Sequence, residues 1–253
     1  MILPSGNRVV HFERIDSTNA EARRLADGGE RGPIWLLADE QTHGRGRLGR
    51  SWVSEPGNLY ATFVFSIAGG PEVAAQVSFI AALAVHDLVA ALLPNSRACI
   101  KWPNDVLIGG AKICGLLAEV VAQSPVTIAL GCGFNVTHAP AATPYPVTSL
   151  ADHGLSTSVE SVFQELDARF LNRLNIWNEG RGFSTIRSDW QAHACGIGEA
   201  AEAVIGNQPV RGTFHGLADD GALILELPDA THRHIHSGEV RFATIDAMRK
   251  ATG

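Results

Sequence analysis

Residues 44 to 52, GRGRLGRSW, combine three glycines with three arginines. Arg45, Arg47 and Arg50 are spaced for neither one face of a helix nor one face of a strand. Glycine permits unusual backbone angles and lets the main chain approach a ligand closely. Arginine offers planar, two-point hydrogen bonding to phosphate or carboxylate. The segment therefore predicts either a loop that closes over an anionic ligand or an arginine-rich turn in solvent.

A second group of polar residues lies in KWPNDVLIGGAKICGLLAE, residues 101 to 119. Lys101 is predicted to end a strand, Asp105 to follow a turn, and Lys112 to open the second arm of a hairpin. A lysine there can place a point charge on a phosphate or carboxylate. An aspartate can coordinate a divalent ion, position an amine or accept a proton. Taken alone, the pattern also fits a surface hairpin with an ordinary Lys–Asp pair.

The bulk composition narrows the class of protein. The chain has 253 residues, is 45% hydrophobic and carries a net charge of −6, so it can bury a core and is not predicted to be disordered. The acidic balance argues against a general nucleic-acid binder, although an RNA-binding role for the arginine cluster stays an alternative. The start of the chain does not resemble a secretory signal. The apolar stretch 77–93 is interrupted by His86 and Asp87, which favours a buried core helix over a membrane span.

The cysteines show no CxxC pair; they are Cys99, Cys114, Cys132 and Cys195. Without a secretory signal they are interpreted as reduced, mostly buried thiols in a cytoplasmic protein, with no metal site.

Hydrophobic patterns place these motifs on an α+β framework. Strands are predicted at 9–15, 34–39, 58–67, 98–102 and 126–136, with a hairpin that turns at 109–110. Helices are predicted at about 16–29, 72–93, 156–178 and 183–193, the first with N-cap chemistry from Asp16, Ser17 and Thr18. From 196 onward, short strands with turn signals predict a small all-β module. The predicted domains are therefore 1–195 and 196–253, the first with a mixed or largely antiparallel sheet.

The motifs RIDSTNAEA, DEQTHGRGRLGRSW, KWPNDV, KICGLLAE and GCGFNV occur in the order and spacing seen in biotin–protein ligases. The resemblance covers nearly the whole chain, and the pair GRGRLGRSW with KWPND is its most specific part. It implies a catalytic domain similar to class II aminoacyl-tRNA synthetases, followed by an SH3-like barrel. It also implies the reaction. Biotin's carboxylate attacks the α-phosphate of Mg-ATP to give biotinyl-5'-AMP, and a lysine of a biotin carboxyl carrier protein then takes the biotinyl group.

The resemblance also assigns roles to individual residues. As catalytic residues it implies Arg47, Lys112 and Asp105. For biotin it implies Ser17, Thr18, Asn19, Gln41, Gly44, Arg45, Arg47, Lys112 and Gly115. For ATP and the adenylate it implies Arg47, Arg50, Trp52, Asn104, Lys112 and Asn135. The cofactors expected are ATP and Mg²⁺, with no metal held by protein ligands. Because only 15 residues precede Asp16, we expect a ligase without direct operator binding. No membrane partner is expected, and association as a homodimer fits the family.

Some residues depart from the family pattern or have no role in it. His43 stands where a small residue is usual, and Leu48 and Ser51 stand where many members carry polar or basic side chains; these changes could weaken retention of the adenylate. In THRHIHSGEV, alternation places His232, His234 and His236 on one strand face. A solvated barrel strand explains them better than a metal site. The other enzyme considered is a lipoate–protein ligase on the same catalytic fold.

Overall fold

The structure is a computed structural model that describes residues 2–205, 208–242 and 245. Its strands are β1 Arg8–Ile15, β2 Ile34–Gln41, β3 Leu59–Ile67, β4 Ala98–Lys101, β5 Asp105–Ile108, β6 Ala111–Gln123, β7 Val126–Phe134, β8 Ala200–Ile205, β9 Gln208–Leu217, β10 Leu223–Glu226, β11 His232–Ile235 and β12 Glu239–Phe242. Its helices are α1 Thr18–Asp27, α2 Pro71–Ala74, α3 Val77–Leu92, α4 Val159–Trp177 and α5 Phe183–Ala192.

Seven strands form a mixed sheet in the order β1-β2-β3-β7-β6-β5-β4. Only the β1–β2 pair is parallel among the described strands of this sheet. Side-chain alternation along β2 explains why helices cover both faces. Ile34 and Leu36 pack with α1 on one face, whereas Trp35 points into the larger core, 4.7 Å from the Phe63 ring. The predicted α+β class with a mixed sheet is confirmed.

The larger core lies between this sheet and helices α3, α4 and α5. The segment Pro71–Leu92 is long and apolar enough to cross a membrane, but 67% of its apolar 18-residue window is buried within the fold. The single helix predicted over 72–93 is interrupted. Its first turn ends at Ala74, and the amide of Gln76 bonds to the Val73 carbonyl at 3.1 Å in a tighter turn before α3 begins.

The second sheet is entirely antiparallel, in the order β11-β10-β9-β8-β12. Its buried side chains include Phe214 and Phe242, whose ring centroids lie 5.5 Å apart, and they are continuous with the larger core. The all-β module predicted from residue 196 is present. Residues 206–207, 243–244 and 246–253 of the predicted module lie outside the described residues.

The prediction of four reduced cysteines is wrong for two of them. Cys99 and Cys195 form a disulfide with their Cα atoms 5.4 Å apart. The two cysteines are 96 positions apart in sequence, and they meet because Ile100 forms a parallel bridge with Ala194 next to them. Cys114 and Cys132 are free and buried, with their sulfur atoms 3.6 Å apart, and burial raises the pKa of the Cys114 thiol.

Candidate active site

A cavity of about 540 Å³ opens where the loop at 44–52, the β5–β6 hairpin and the start of β12 meet. Six cationic side chains line it among the described residues: Arg45, Arg47, Arg50, Lys101, Lys112 and Arg241. In the part of the chain that the structure describes, two carboxylates, Asp105 and Glu239, line it with them. A protein with a net charge of −6 thus concentrates positive charge in one concave place, which is the electrostatic requirement for an anionic ligand.

The loop at 44–52 folds back on itself as a compact turn. The Trp52 amide donates to the Gly44 carbonyl at 2.8 Å, and the Gly46 amide donates to the Arg50 carbonyl at 2.7 Å. A Cβ atom on Gly44 would overlap the Trp52 carbonyl and the Ser54 side chain, so glycine is needed there for close packing. At the tip, Leu48 has φ 56° and is 72% exposed. The predicted arginine–glycine loop therefore forms one edge of the cavity.

The two arginines nearest the tip contact residues outside the loop. The Arg47 guanidinium donates to the Asn104 side-chain oxygen at 3.2 Å and, more weakly, to the Gly238 carbonyl at 3.5 Å. Burial lowers the pKa of Arg47 from its usual range, but a guanidinium stays charged in proteins. Arg50 donates to the Glu239 carboxylate at 2.6 Å, and this bond raises the pKa of Arg50 and lowers that of Glu239.

Arg45 is oriented differently from its two neighbours. Its guanidinium lies 3.6 Å from the carboxylate of Glu119, which also accepts a hydrogen bond at 2.9 Å from the Asn19 side chain. Arg45 therefore lies against the polar side of the cavity near α1. It was predicted to contact biotin, and this orientation places it on that side rather than with Arg47 and Arg50.

Lys112 and Asp105 form the central ion pair of the cavity. The Lys112 Nζ atom lies 2.7 Å from Asp105 Oδ1, and the side chains are 12% and 22% exposed. Their strands are adjacent, and a register shift next to Val106 allows Lys112 to reach along the hairpin. The same Nζ atom lies 5.0 Å from the centre of the Trp52 ring and 5.4 Å from that of Tyr145. The lysine is thus held in one position by a carboxylate and two aromatic faces.

Glycines on two central strands form the floor beneath Trp52. Gly115 of β6 pairs directly with Gly133 of β7. A Cβ atom on Gly115 would lie 2.8 Å from Trp52 Cζ3, and one on Gly133 would overlap the indole ring. The Trp52 Nε1 atom is buried without a hydrogen-bond partner among the described residues. The two glycines therefore let the flat indole of Trp52 lie directly against the backbone of β6 and β7.

A network of uncharged polar groups forms the inner end of the cavity. The Gln41 side-chain oxygen accepts from the Thr18 amide at 2.9 Å and from the Thr18 hydroxyl at 3.1 Å. The Gln41 amide group donates to the Ser54 hydroxyl at 2.8 Å, and the Thr62 hydroxyl lies 2.7 Å from that of Thr18. Ser17 precedes α1 as predicted, but its side chain makes no capping hydrogen bond. The Thr18 amide, which has no partner within the helix, donates to Gln41 instead.

The remaining predicted residues are divided between the cavity and the interior. Asn104 lines the cavity and accepts from Arg47, while its amide donates to the Leu116 carbonyl. Asn135 is buried outside the cavity lining and donates to the Thr148 carbonyl at 2.9 Å, so it anchors a neighbouring segment. His43 is exposed and does not line the cavity.

Sequence reasoning did not find several residues of this site. They are Ser54, Thr62, Glu119, Gly131, Tyr145, Glu239 and Arg241. The alternating glycines of GCGFNV carried a signal for Gly131, since its Cβ would overlap the Asn19 side chain. Glu239 and Arg241 carried no local signal, because only the arrangement of the two sheets brings β12 to the cavity.

Two family models match the chain. Residues 11–135 match the biotin/lipoate A/B protein ligase family, and residues 196–242 match the biotin protein ligase C-terminal domain. A biotin–[acetyl-CoA-carboxylase] ligase of Paracoccus denitrificans is 42% identical over 239 residues, which are 90% of this chain and 98% of the relative. The chain belongs to the biotin–protein ligase family. The family member from Mycobacterium tuberculosis is 34% identical, with 85% of this chain and 82% of the relative covered.

Solved structures of biotin–protein ligases share the fold. The ligase of Aquifex aeolicus in complex with biotin and ATP has a TM-score of 0.80 at 24% identity, with 93% of this chain and 99% of that chain covered. The ligase of Leishmania major in complex with biotinyl-5-AMP has a TM-score of 0.63 at 22% identity, with 90% and 98% covered. These likenesses confirm the predicted biotin–protein ligase architecture, a synthetase-like catalytic domain with a C-terminal module.

Proposed function

We propose that this protein activates biotin with ATP as biotinyl-5'-AMP and transfers the biotinyl group to a lysine of the biotin carboxyl carrier protein of acetyl-CoA carboxylase. Membership of the biotin–protein ligase family supports the reaction. The observation that carries the assignment in this chain is the division of one cavity into a cationic half and an uncharged polar half. Biotin has an uncharged, urea-like head that suits the polar half. Its carboxylate tail must approach the polyphosphate of ATP, and both anions suit the cationic half.

The first step brings together two anions, biotin's carboxylate and ATP, which repel each other. The cationic half of the cavity offsets this repulsion. An oxygen of biotin's carboxylate forms a bond to the α-phosphorus of ATP, and the bond to pyrophosphate breaks. Arg47, Arg50 and Lys112 are the cations proposed to hold these groups. Fixed donors aimed at developing charge contribute about 2.7–4 kcal/mol each in other enzymes. Arg47 is half-buried and Lys112 is 12% exposed, so both act with little screening by water.

The uncharged half is proposed to bind biotin. Thr18, Asn19 and Gln41 present hydrogen-bonding groups suited to the ureido head, with the buried Ser17 beside them. The main chain at Gly115 is proposed to lie beside the ureido side of biotin, and the fused ring is proposed to pack on the side of the Trp52 indole that faces away from Gly115 and Gly133. Gly44 keeps the loop in contact with this end, where Arg45 approaches.

The second step transfers the acyl group to an amine. The carrier lysine's nitrogen attacks the acyl carbon, AMP leaves with the electrons of the broken anhydride bond, and the amine loses a proton. A free lysine amine has a pKa of about 10.4, so it is mostly protonated at neutral pH. Asp105 is the first residue of β5, directly after the turn from β4, and its carboxylate pairs with Lys112. We assign Asp105 the task of positioning the incoming ammonium and drawing off its proton.

Magnesium is proposed to arrive with ATP. Both carboxylates in the described lining are already paired, Asp105 with Lys112 and Glu239 with Arg50. Such a cavity fits Mg²⁺ bound chiefly through substrate phosphates and water, which is the usual manner for this ion. Asn104, which lines the cavity, is proposed to contact the adenylate. Asn135 lies outside the lining, so its proposed part in adenylate binding is to anchor the segment at Thr148.

Other parts of the proposal have separate tests. The two sheets support a division at residues 195 and 196, which limited proteolysis would locate. Self-association as a homodimer would appear in sedimentation as a concentration-dependent mass. The expected absence of operator binding would be contradicted by salt-resistant, sequence-specific binding to duplex DNA. Fractionation of cells would test the cytoplasmic location.

Pyrophosphate–ATP exchange tests the main proposal. We expect exchange with biotin and none with lipoate at equal concentration. Exchange driven by lipoate alone would replace the assignment with a lipoate–protein ligase. If the protein bound RNA in a salt-dependent manner and formed no AMP with biotin, the arginine cluster would be an RNA site instead.

A further inference from the structure

The outer face of the small sheet carries two imidazoles and a carboxylate together. His215 lies on β9, Glu226 ends β10 and His232 begins β11. These strands are neighbours in the order β11-β10-β9, with Glu226 in the middle. All three side chains reach solvent, and none of them lines the cavity of the active site.

The donor atoms of this cluster converge. The His215 Nδ1 atom lies 3.2 Å from Glu226 Oε2, and the His232 Nε2 atom lies 3.8 Å from the same oxygen. The centroids of the two imidazole rings are 4.7 Å apart. One possible ligand atom from each of the three residues lies within 4.8 Å of the other two. One oxygen of Glu226 thus faces a ring nitrogen of each histidine, and an ion placed among these atoms would be in reach of all three residues.

The backbone explains why these three residues meet. Glu226 pairs directly with His232 across the β10–β11 ladder. On the other side the β9–β10 register shifts between Ile224 and Leu225, and this bulge places His215 beside Glu226. The connecting turn is closed by the Leu227 amide, which donates to the Thr231 carbonyl at 2.8 Å. The cluster is thus built on paired strands rather than on a loose loop.

We propose that His215, Glu226 and His232 bind a divalent transition-metal ion of the zinc class on the C-terminal module. Two imidazoles and one carboxylate are the ligand set that suits such ions, with water completing a tetrahedral shell. Metal–ligand distances of about 2.0–2.2 Å place neighbouring ligand atoms about 3.3 Å apart. The observed 3.2 and 3.8 Å are close to that value, so rotation of exposed side chains completes the site. The bound ion joins three strands of the module.

This site differs from the one that alternation of histidines in the sequence would suggest. His236 lies outside β11 and pairs with Asp220 at 3.5 Å, and His234 is opposite Ile224 rather than a carboxylate. Of the three alternating histidines, only His232 contributes to the cluster. The sequence predicted no metal, because His215 and Glu226 are brought to it only by strand pairing.

Calorimetric titration of metal-stripped, tag-free protein with ZnCl2 tests the proposal, together with Co²⁺ absorption as a report of geometry. We expect one ion per chain, a tetrahedral Co²⁺ spectrum, and a Zn²⁺-dependent rise in the unfolding temperature. His215→Ala and Glu226→Gln should each weaken binding at least tenfold. His234→Ala is the matched control, since it removes an exposed histidine from the same strand and should leave affinity unchanged.

The contrary results are distinct. If His234→Ala weakened Zn²⁺ binding as much as His232→Ala, the ion would be held by the alternating histidines and not by this cluster. If wild type and Glu226→Gln bound equally, or if the Co²⁺ spectrum were octahedral, the three-residue site would be wrong. Circular dichroism of each variant shows whether the module is still folded.

Discussion

The two halves of the cavity are held in different ways. At the inner end, Thr18, Gln41 and Thr62 satisfy one another through short hydrogen bonds between uncharged groups. At the loop, Arg47 and Arg50 reach residues of other segments, and Arg50 does so through an exposed ion pair with Glu239. The uncharged half is therefore already built before a ligand arrives, whereas the two loop arginines of the cationic half are held by contacts that a phosphate can replace.

This difference matches the proposed order of events. A buried hydrogen-bond network loses much when one member is removed, because its partners stay unsatisfied. An exposed ion pair contributes little and can exchange partners at low cost. Recognition of the biotin head would thus depend on side chains that are already in place. Binding of phosphate would depend on arginines that exchange one partner for another. Substitutions on each side should have separable effects.

The largest effect is expected from Lys112→Ala. The Lys112 side chain is only 12% exposed, and its removal breaks the ion pair with Asp105. We expect biotin-dependent pyrophosphate–ATP exchange to fall about 100- to 1,000-fold, as for other preorganised donors. Arg8→Ala, which removes an exposed ion pair with Glu30, is the control. Exchange at the wild-type rate in Lys112→Ala would exclude the proposed role.

Gln41→Leu tests the uncharged half. It removes three hydrogen bonds and leaves the Thr18 amide unsatisfied, a loss of about 1–3 kcal/mol per buried group. We expect KM for biotin to rise about tenfold or more while KM for ATP stays the same. Gln123→Leu makes the same change at the exposed end of β6 and should do nothing. A parallel rise in both KM values would mean that the halves are not separable.

Arg47→Gly tests whether the loop retains the intermediate. We expect biotinyl-5'-AMP to escape sooner, so that lysines of a bystander protein become biotinylated severalfold more than with wild type. Leu48→Gly adds the same backbone freedom at a residue with φ 56° but removes no charge. Unchanged selectivity in Arg47→Gly, or equal loss in both variants, would show that the guanidinium does not hold the loop closed.

The sequence predicted the parts of the site that lie in short motifs. Side-chain alternation and glycine spacing identified the strands, the loop and Lys112, because each signal is contained within about ten residues. It missed Ser54 and Thr62, which act through distant partners on other strands. The Cys99–Cys195 disulfide was not predicted for the same reason, because 96 positions separate the two residues in sequence.

The smallest effect is expected at the ion pair that joins the loop to the C-terminal module. The pKa of Glu239 is lowered, first by its hydrogen bond from Arg50, so its carboxylate stabilises the fold above its unfolded pKa. That contribution is lost as pH falls through the lower folded value. Arg50 is 54% exposed and Glu239 35%, so solvent screening limits the pair to at most about 1 kcal/mol.

Glu239→Gln should therefore lower the unfolding temperature by a few degrees at most at pH 7, and the difference from wild type should shrink toward zero below about pH 4. Thermal unfolding followed by circular dichroism across this range measures it. A loss as large as that of Gln41→Leu, or one that persists in acid, would show that the cationic half is as fixed as the uncharged one. The distinction between the two halves would then fail, because Arg50 could not be released to a phosphate.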